Sequence, residues 1–250
     1  ARRAKKLNLR EFCFTQHYNI EIGGNIITIP ESDIAKYLMQ VENASKKYNI
    51  TIKKGMEVDF NEKLMPRIKK TLSSYPFDFI LGSIHYIETK TGYVIKKAIP
   101  FLRRKAVDEV IDEYFIRLHK MIKSKMCDNI AHPDIFRRFG GKRYSSIKFK
   151  DYEDYAKETV KLLKTYNTGF EINTSGFRKL GKQYPLREFI ELAYEKGIKQ
   201  VTIGSDAHST GTLAKDINKA VSLLKKVGYK EIAVFNLRKP SYVPIKELEK

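Results

Sequence analysis

The sequence predicts an α/β barrel, with a parallel sheet inside and helices outside. Two observations carry that prediction. Short apolar runs alternate with helical segments along the 250 residues, a pattern that gives parallel strands joined by helices; a single (β/α) barrel takes about 250 residues. Four of the five histidines also stand just past such apolar runs, each beside a carboxylate, a glycine or another small residue. These segments are Phe12-Cys13-Phe14-Thr15-Gln16-His17, Phe79-Ile80-Leu81-Gly82-Ser83-Ile84-His85, Asn129-Ile130-Ala131-His132-Pro133-Asp134 and Val201-Thr202-Ile203-Gly204-Ser205-Asp206-Ala207-His208. A fifth run ends in Gly55-Met56-Glu57. A strand, a polar residue and a helix in repetition is how a barrel brings distant side chains to one face. Histidine with carboxylate suits divalent transition metals, so the pattern reads as a metal-dependent hydrolase.

The elements follow in order. Leu9 to Thr15 is a short strand. Ser32 is an N-cap for a helix ending near Tyr48. Thr51 to Val58 is a strand, Asn61 to Leu72 a shorter helix, and Phe77 to Ile84 a buried strand. Lys90 to Pro100 connects. Phe101 to Lys125 is the longest helix, with Val107, Ile111, Phe115, Leu118 and Ile122 at helical spacing. Cys127 to Ala131 is a brief strand, and Phe136 to Lys150 a basic loop. Asp151 to Tyr166 is helical and Gly169 to Asn173 a strand. Pro185 to Lys196 is helical, with proline in its first turn. Gln200 to Gly204 is a strand, Thr212 to Val227 a helix ended by Gly228, and Glu231 to Phe235 a last strand. No linker or repeat interrupts residues 1–250, which read as one domain.

Composition narrows the class. No run approaches the roughly 20 apolar residues of a membrane span, and the Ala-Arg-Arg-Ala-Lys-Lys start has no apolar signal region. The two cysteines, Cys13 and Cys127, lack CxxC spacing and read as small buried residues in a reducing cytoplasm. Formal charge is +19, from 48 Lys and Arg against 29 Asp and Glu. The lysines are scattered over most helices, which argues for compositional bias over a nucleic-acid footprint. A positive field also favours a phosphorylated substrate.

The most specific segment is Gly204-Ser205-Asp206-Ala207-His208. Asp206 and His208 stand two apart at a strand terminus, so they share one side of an extended segment. Two ligands from one rigid element lose little ordering entropy on gripping a cation.

Six segments together resemble the polymerase-and-histidinol-phosphatase (PHP) superfamily in order and spacing. They are Thr15-Gln16-His17, Gly55-Met56-Glu57, Gly82-Ser83-Ile84-His85, Ala131-His132-Pro133-Asp134, Glu171-Ile172-Asn173-Thr174-Ser175-Gly176 and Gly204-Ser205-Asp206-Ala207-His208. Within it, the Glu171 to Lys179 stretch and Arg137-Arg138-Phe139-Gly140 most resemble PHP-type histidinol-phosphatases. The resemblance implies a distorted (β/α)7 TIM-like barrel with two or three divalent metal ions at the C-terminal ends of its strands. It makes Glu57 the bridging carboxylate, His85 and His132 its companions on one metal, Asp206 a ligand of a second, and His17 with His208 ligands of a third. Zinc, manganese and iron all suit such ligands. The nucleophile it implies is a metal-activated water, with no protein nucleophile. That fits a chain without a reactive-cysteine motif or a GxSxG elbow. The implied reaction is hydrolysis of L-histidinol phosphate to L-histidinol and phosphate, in histidine biosynthesis.

Phosphate recognition needs further cations. Arg178, reached through the Thr174-Ser175-Gly176 turn, and Arg137 and Arg138, which follow His132, can aim planar forks at phosphate oxygens. Asn173 lines the site or fixes the turn. Asp134 either orients His132 or caps the next turn, and Asp59 reads as an N-cap or an orienting partner. His119 lies inside the long helix and reads as packing or surface.

The chain departs from the family at its front. The family opens with a strand bearing His-x-His, whereas residues 1–9 match the helix after it. The first strand is therefore missing from this chain, and the protein as written is expected to be impaired. Gln16 stands where the family carries an acidic residue. Two other readings compete: a PHP phosphoesterase acting on nucleotides or nucleic-acid ends, and a metal-depleted, basic nucleic-acid-binding barrel.

Overall fold

The computed structural model describes residues 1–19, 28–85, 106–139 and 141–249. Among them, six strands form one parallel sheet in chain order: β1 (Glu11–Tyr18), β2 (Thr51–Asp59), β3 (Phe79–Ser83), β4 (Asn129–Ile130), β5 (Gly169–Asn173) and β6 (Val201–Gly204). The sheet curls into an open TIM-like barrel. The helices are α1 (Arg2–Lys6), α2 (Ile34–Tyr48), α3 (Met65–Ser73), α4 (Val107–Ser124), α5 (Lys142–Ser145), α6 (Glu153–Tyr166), α7 (Ser175–Leu180), α8 (Arg187–Glu195) and α9 (Ile217–Val227).

Strand alternation separates an outer apolar face from an inner one. Met56, Val58, Ile80, Ile130, Phe170, Ile172 and Val201 face the helices, where they pack with Leu38, Leu72, Phe115, Leu118, Val160, Ile190 and Leu224. On the opposite, concave face, Phe79, Leu81 and Ala131 pack with Ala233 and Phe235, and Cys13 leans against them. The Phe79 and Phe235 ring centroids are 4.6 Å apart. His17 pairs with Glu57, and Glu57 with Leu81, across neighbouring strands. Paired residues of parallel strands share a face. The polar residues therefore stand on the concave face, beyond this inner apolar plug.

Ala233 and Phe235 belong to an antiparallel hairpin, β7 (Glu231–Asn236) with β8 (Lys239–Pro244), outside the parallel sheet. The sequence reading expected one strand here. The turn residues Leu237 and Arg238 have φ of 46° and 63°, a conformation that ordinarily selects Asn-Gly. Tertiary bonds supply what the turn sequence lacks. Leu237 N donates to Asp78 Oδ1 (3.2 Å) and Arg238 N to Asp78 O (2.9 Å). The Arg238 guanidinium donates to Asp128 Oδ1 (3.0 Å) and Met126 O (3.2 Å). Asp78 and Asp128 directly precede β3 and β4, so the hairpin closes the N-terminal end of the sheet. The C-terminal end is left for chemistry.

Other boundaries shift for local reasons. β1 runs on through His17 to Tyr18, because Cys13, Thr15 and His17 continue the inward alternation against β2. The expected loop at 136–150 is a chain of short turns: 3-10 helix over Ile135–Arg138, α5, and 3-10 helix over Phe149–Asp151. α9 begins at Ile217, later than Thr212, and ends at Gly228 as expected. The connecting stretch 90–100 and positions 101–105 of the expected long helix lie outside the described residues.

Candidate metal centre

Successive strands deliver one polar side chain each to the same end of the concave face. His17 comes from β1, Glu57 from β2, His85 from the segment after β3 and His132 from the segment after β4. Glu57 is 6% exposed and faces all three imidazoles. Its Oε1 lies 3.1 Å from His132 Nε2 and 3.5 Å from His85 Nε2, and its Oε2 lies 3.5 Å from His17 Nδ1. One ligand atom from each of Glu57, His85 and His132 lies within 4.8 Å of the others, and the same holds for His17, Asp59 and His85.

Burial by itself pushes the Glu57 carboxyl up. Attraction to His17, the hydrogen bond with His132 and attraction to His85 and His132 outweigh it, and hold the group well below the usual carboxylate range. A buried, ionised carboxylate ringed by imidazoles suits a divalent cation. His132 turns Nε2 toward Glu57, while its Nδ1 is buried without a hydrogen-bond partner among the described residues. The donor set therefore fits the metal ions that the sequence implies.

Surrounding groups aim these donors. Asp59, 4% exposed, accepts from His85 Nδ1 (2.8 Å), from His85 N (3.1 Å) and from Ser83 Oγ (3.2 Å), while its other oxygen accepts from Asn19 Nδ2 (3.0 Å). A carboxylate on Nδ1 sets the tautomer that turns Nε2 toward Glu57. Asp134 does not reach the His132 ring. Its Oδ2 accepts from Arg137 (3.0 Å), Tyr152 (2.8 Å) and Leu186 N (2.9 Å).

The β6 terminus adds a second group. The His208 ring lies 5.8 Å from that of His17. His208 Nδ1 is 3.3 Å from Asp206 Oδ1, with His208 largely exposed and Asp206 mostly covered. Arg178 donates to Ser205 O (2.6 Å) and stands 3.8 Å from Asp216. It therefore adjoins the Asp206 backbone. Arg137 is buried at 2% exposure, paired with Asp134 and set over the Tyr184 ring, whereas Arg138 is partly exposed over Phe139. Asn173 is buried, with both ends of its amide bonded inside the protein.

Sequence reasoning gave no role to Glu171 or Ser175. Glu171 accepts from His132 N (3.3 Å) and Asn173 Nδ2 (2.9 Å). Its carboxyl is pushed up to about 8, chiefly by burial; the Asn173 bond opposes this, and the nearby Glu57 and Asp206 charges add to it. A sequence signal did exist, since Glu171 and Asn173 stand two apart on one strand and share a face. His119, by contrast, bonds Thr159 Oγ1 at 2.9 Å between helices, a packing role.

The chain is similar to known histidinol-phosphatases. The curated histidinol-phosphatase of Lactococcus lactis is 26% identical over 231 residues, covering 91% of this chain and 84% of that protein. A probable histidinol-phosphatase of Thermotoga maritima is 26% identical over 230 residues, covering 92% and 84%. A crystal structure of the Lactococcus lactis histidinol phosphate phosphatase, complexed with zinc, L-histidinol and phosphate, superposes with a TM-score of 0.85 at 25% identity, over 96% of this chain and 90% of that one. The PHP domain profile matches residues 1–175, well over half of the 250; the chain belongs to the PHP domain family.

Proposed function

We propose that the protein is a metal-dependent phosphomonoesterase that hydrolyses L-histidinol phosphate to L-histidinol and phosphate, in histidine biosynthesis. One observation carries the reading: His17, Glu57, His85 and His132, from four successive strands, converge on one buried cluster. A relative of similar fold holds zinc, L-histidinol and phosphate. Glu57, His85 and His132 would hold one cation, and Asp206 with His17 and His208 one or two more, as zinc, manganese or iron. Bound there, divalent cations supply Lewis-acid polarisation of phosphoryl oxygens and acidify water.

The chain's own residues then have distinct tasks. Glu57 offers a carboxylate kept ionised by its imidazole neighbours. Asp59 holds His85 in one tautomer. Arg178, beside Ser205, and Arg138 are assigned to phosphate oxygens, while Arg137 is engaged with Asp134 and supports the loop. No thiol competes as nucleophile. Burial raises Cys127 to about 12 and Cys13 well above the ordinary thiol value, so both stay protonated. Both cysteines are free, which supports a reducing, cytoplasmic setting. No helix of the described residues is long and apolar enough to cross a membrane.

The test is phosphate release by the purified protein. Histidinol phosphate should be hydrolysed, chelation should stop it, and Mn²⁺ or Zn²⁺ should restore it. Release from oligonucleotide ends with none from histidinol phosphate refutes the proposal in favour of a nucleic-acid phosphoesterase.

A further inference from the structure

His132 and Asp206 adopt left-handed backbone conformations, with φ of 27° and 48°. Such conformations are costly for non-glycine residues and persist where surrounding contacts enforce them. His132 follows β4 and Asp206 follows β6; β5 lies between them in the sheet. A line of buried hydrogen bonds crosses β5 from one to the other. His132 N donates to Glu171 Oε2 (3.3 Å), and Asn173 Nδ2 donates to the same oxygen (2.9 Å). Asn173 Oδ1 accepts from Ser175 N (3.0 Å), and Ser175 Oγ donates to Asp206 Oδ2 (3.0 Å). Glu171, Asn173 and Ser175 are 6%, 2% and 3% exposed. The other Glu171 oxygen rests on Gly204, where any Cβ would collide with it. The same side chain thus also seats the end of β6.

We propose that Glu171, Asn173 and Ser175 form a strut that sets the spacing and orientation of His132 and Asp206. It couples the cation site on β2–β4 to the site on β6. The inference rests on the metal-centre reading above, and it assigns Asn173 to positioning instead of substrate contact. A strut explains why β5 and the first residue of α7, which bring no ligand of their own, present three buried polar side chains at alternate positions. Each of the three spends its hydrogen-bonding capacity on a ligand-bearing residue or on the next member of the line.

The test compares the full protein with Ser175→Ala, Ser175→Thr, Asn173→Leu and the double variant Ser175→Ala/Asn173→Leu. Zn²⁺ affinities are read by chelator competition and Mn²⁺ occupancy by electron paramagnetic resonance. Ser175→Ala should weaken one cation site on the order of tenfold and leave another within about twofold. Ser175→Thr, which keeps the hydroxyl, should restore it. Asn173→Leu should weaken both sites, and the double variant should lose no more than Asn173→Leu, because one broken line cannot be broken twice. In metal-free protein, Asn173→Leu should also speed hydrogen exchange of the His132 amide on the order of tenfold. Unchanged affinities with unchanged exchange, or strictly additive losses, would overturn the strut. Should Asn173→Leu fail to fold, Ser175→Ala with its threonine rescue decides the question. An unaltered protein that takes up no cation refutes the metal-centre reading instead, and the metal-free exchange then decides the strut alone.

Discussion

His132 Nε2 lies 3.1 Å from Glu57 Oε1, although 75 positions separate the two residues in the chain. The contact joins β2 to the segment after β4 across the concave face, and places a carboxylate where three imidazoles meet. Replacing Glu57 with Gln removes the charge and keeps the shape. Metal content by elemental analysis should fall by at least one ion per chain, and turnover by on the order of a hundredfold. Full metal content in Glu57→Gln rules out the carboxylate as a ligand.

Asp59 grips both the ring and the backbone of His85. Asp59→Ala frees the imidazole to rotate and to change tautomer. Affinity at the Glu57–His85–His132 site should drop about 10–100-fold, with Asp59→Asn in between because one acceptor oxygen remains. Chelator competition measures both, and equal affinity in Asp59→Ala would show that packing alone orients His85.

Glu171 gives a pH signature to the metal-free protein. Its folded pKa, about 8, exceeds the ordinary 4.5. Between those values the folded state keeps a proton that the unfolded chain releases, so this group's contribution is fully present below pH 4.5 and is lost as pH rises through 8. Glu171→Gln cannot ionise. Relative to wild type it should therefore gain stability from pH 5 to pH 8, by about 1 kcal/mol or more, roughly 2–4 °C in Tm. A Tm difference that stays flat over this range would mean that Glu171 is already ionised in the folded protein.

Arg137 and Asp134 form a buried ion pair, 2% and 1% exposed at their side chains. Arg137→Ala leaves Asp134 charged and covered, so unfolding free energy should fall by about 3–5 kcal/mol. Arg138→Ala, at a partly exposed position, should change it by less than about 0.5 kcal/mol. Denaturant titration separates them. A stable Arg137→Ala with a raised KM would move Arg137 to the substrate.

The local signals that worked were those that also decide structure locally. Apolar runs such as Phe79–Leu81 are strands because both of their faces are covered, by helices outside and by Phe235 within. The histidines of the candidate centre are visible in the sequence because each breaks an apolar run at its end. The sequence sets His17 just past its strand, where the apolar run stops; pairing with Glu57 shows that it extends β1. The hairpin was legible in half. Leu237 and Arg238 carry no turn signal, and Pro240 and Pro244 read against a strand, because Asp78 and Asp128 hold the turn from more than a hundred positions away. Nothing local gives Glu171 or Ser175 a role, since their partners His132 and Asp206 lie past the neighbouring strands.

That distant clasp also dictates when the protein can become whole. Arg238 binds Asp128 across 110 positions, so the floor beneath Phe79 and Leu81 is laid only after synthesis has passed residue 238. Until then those side chains meet water or another nascent chain, and aggregation competes with completion. Slow, cool synthesis should raise the yield of soluble material more than any change at the exposed surface, and weakening the clasp at Arg238 should lower yield before it touches turnover.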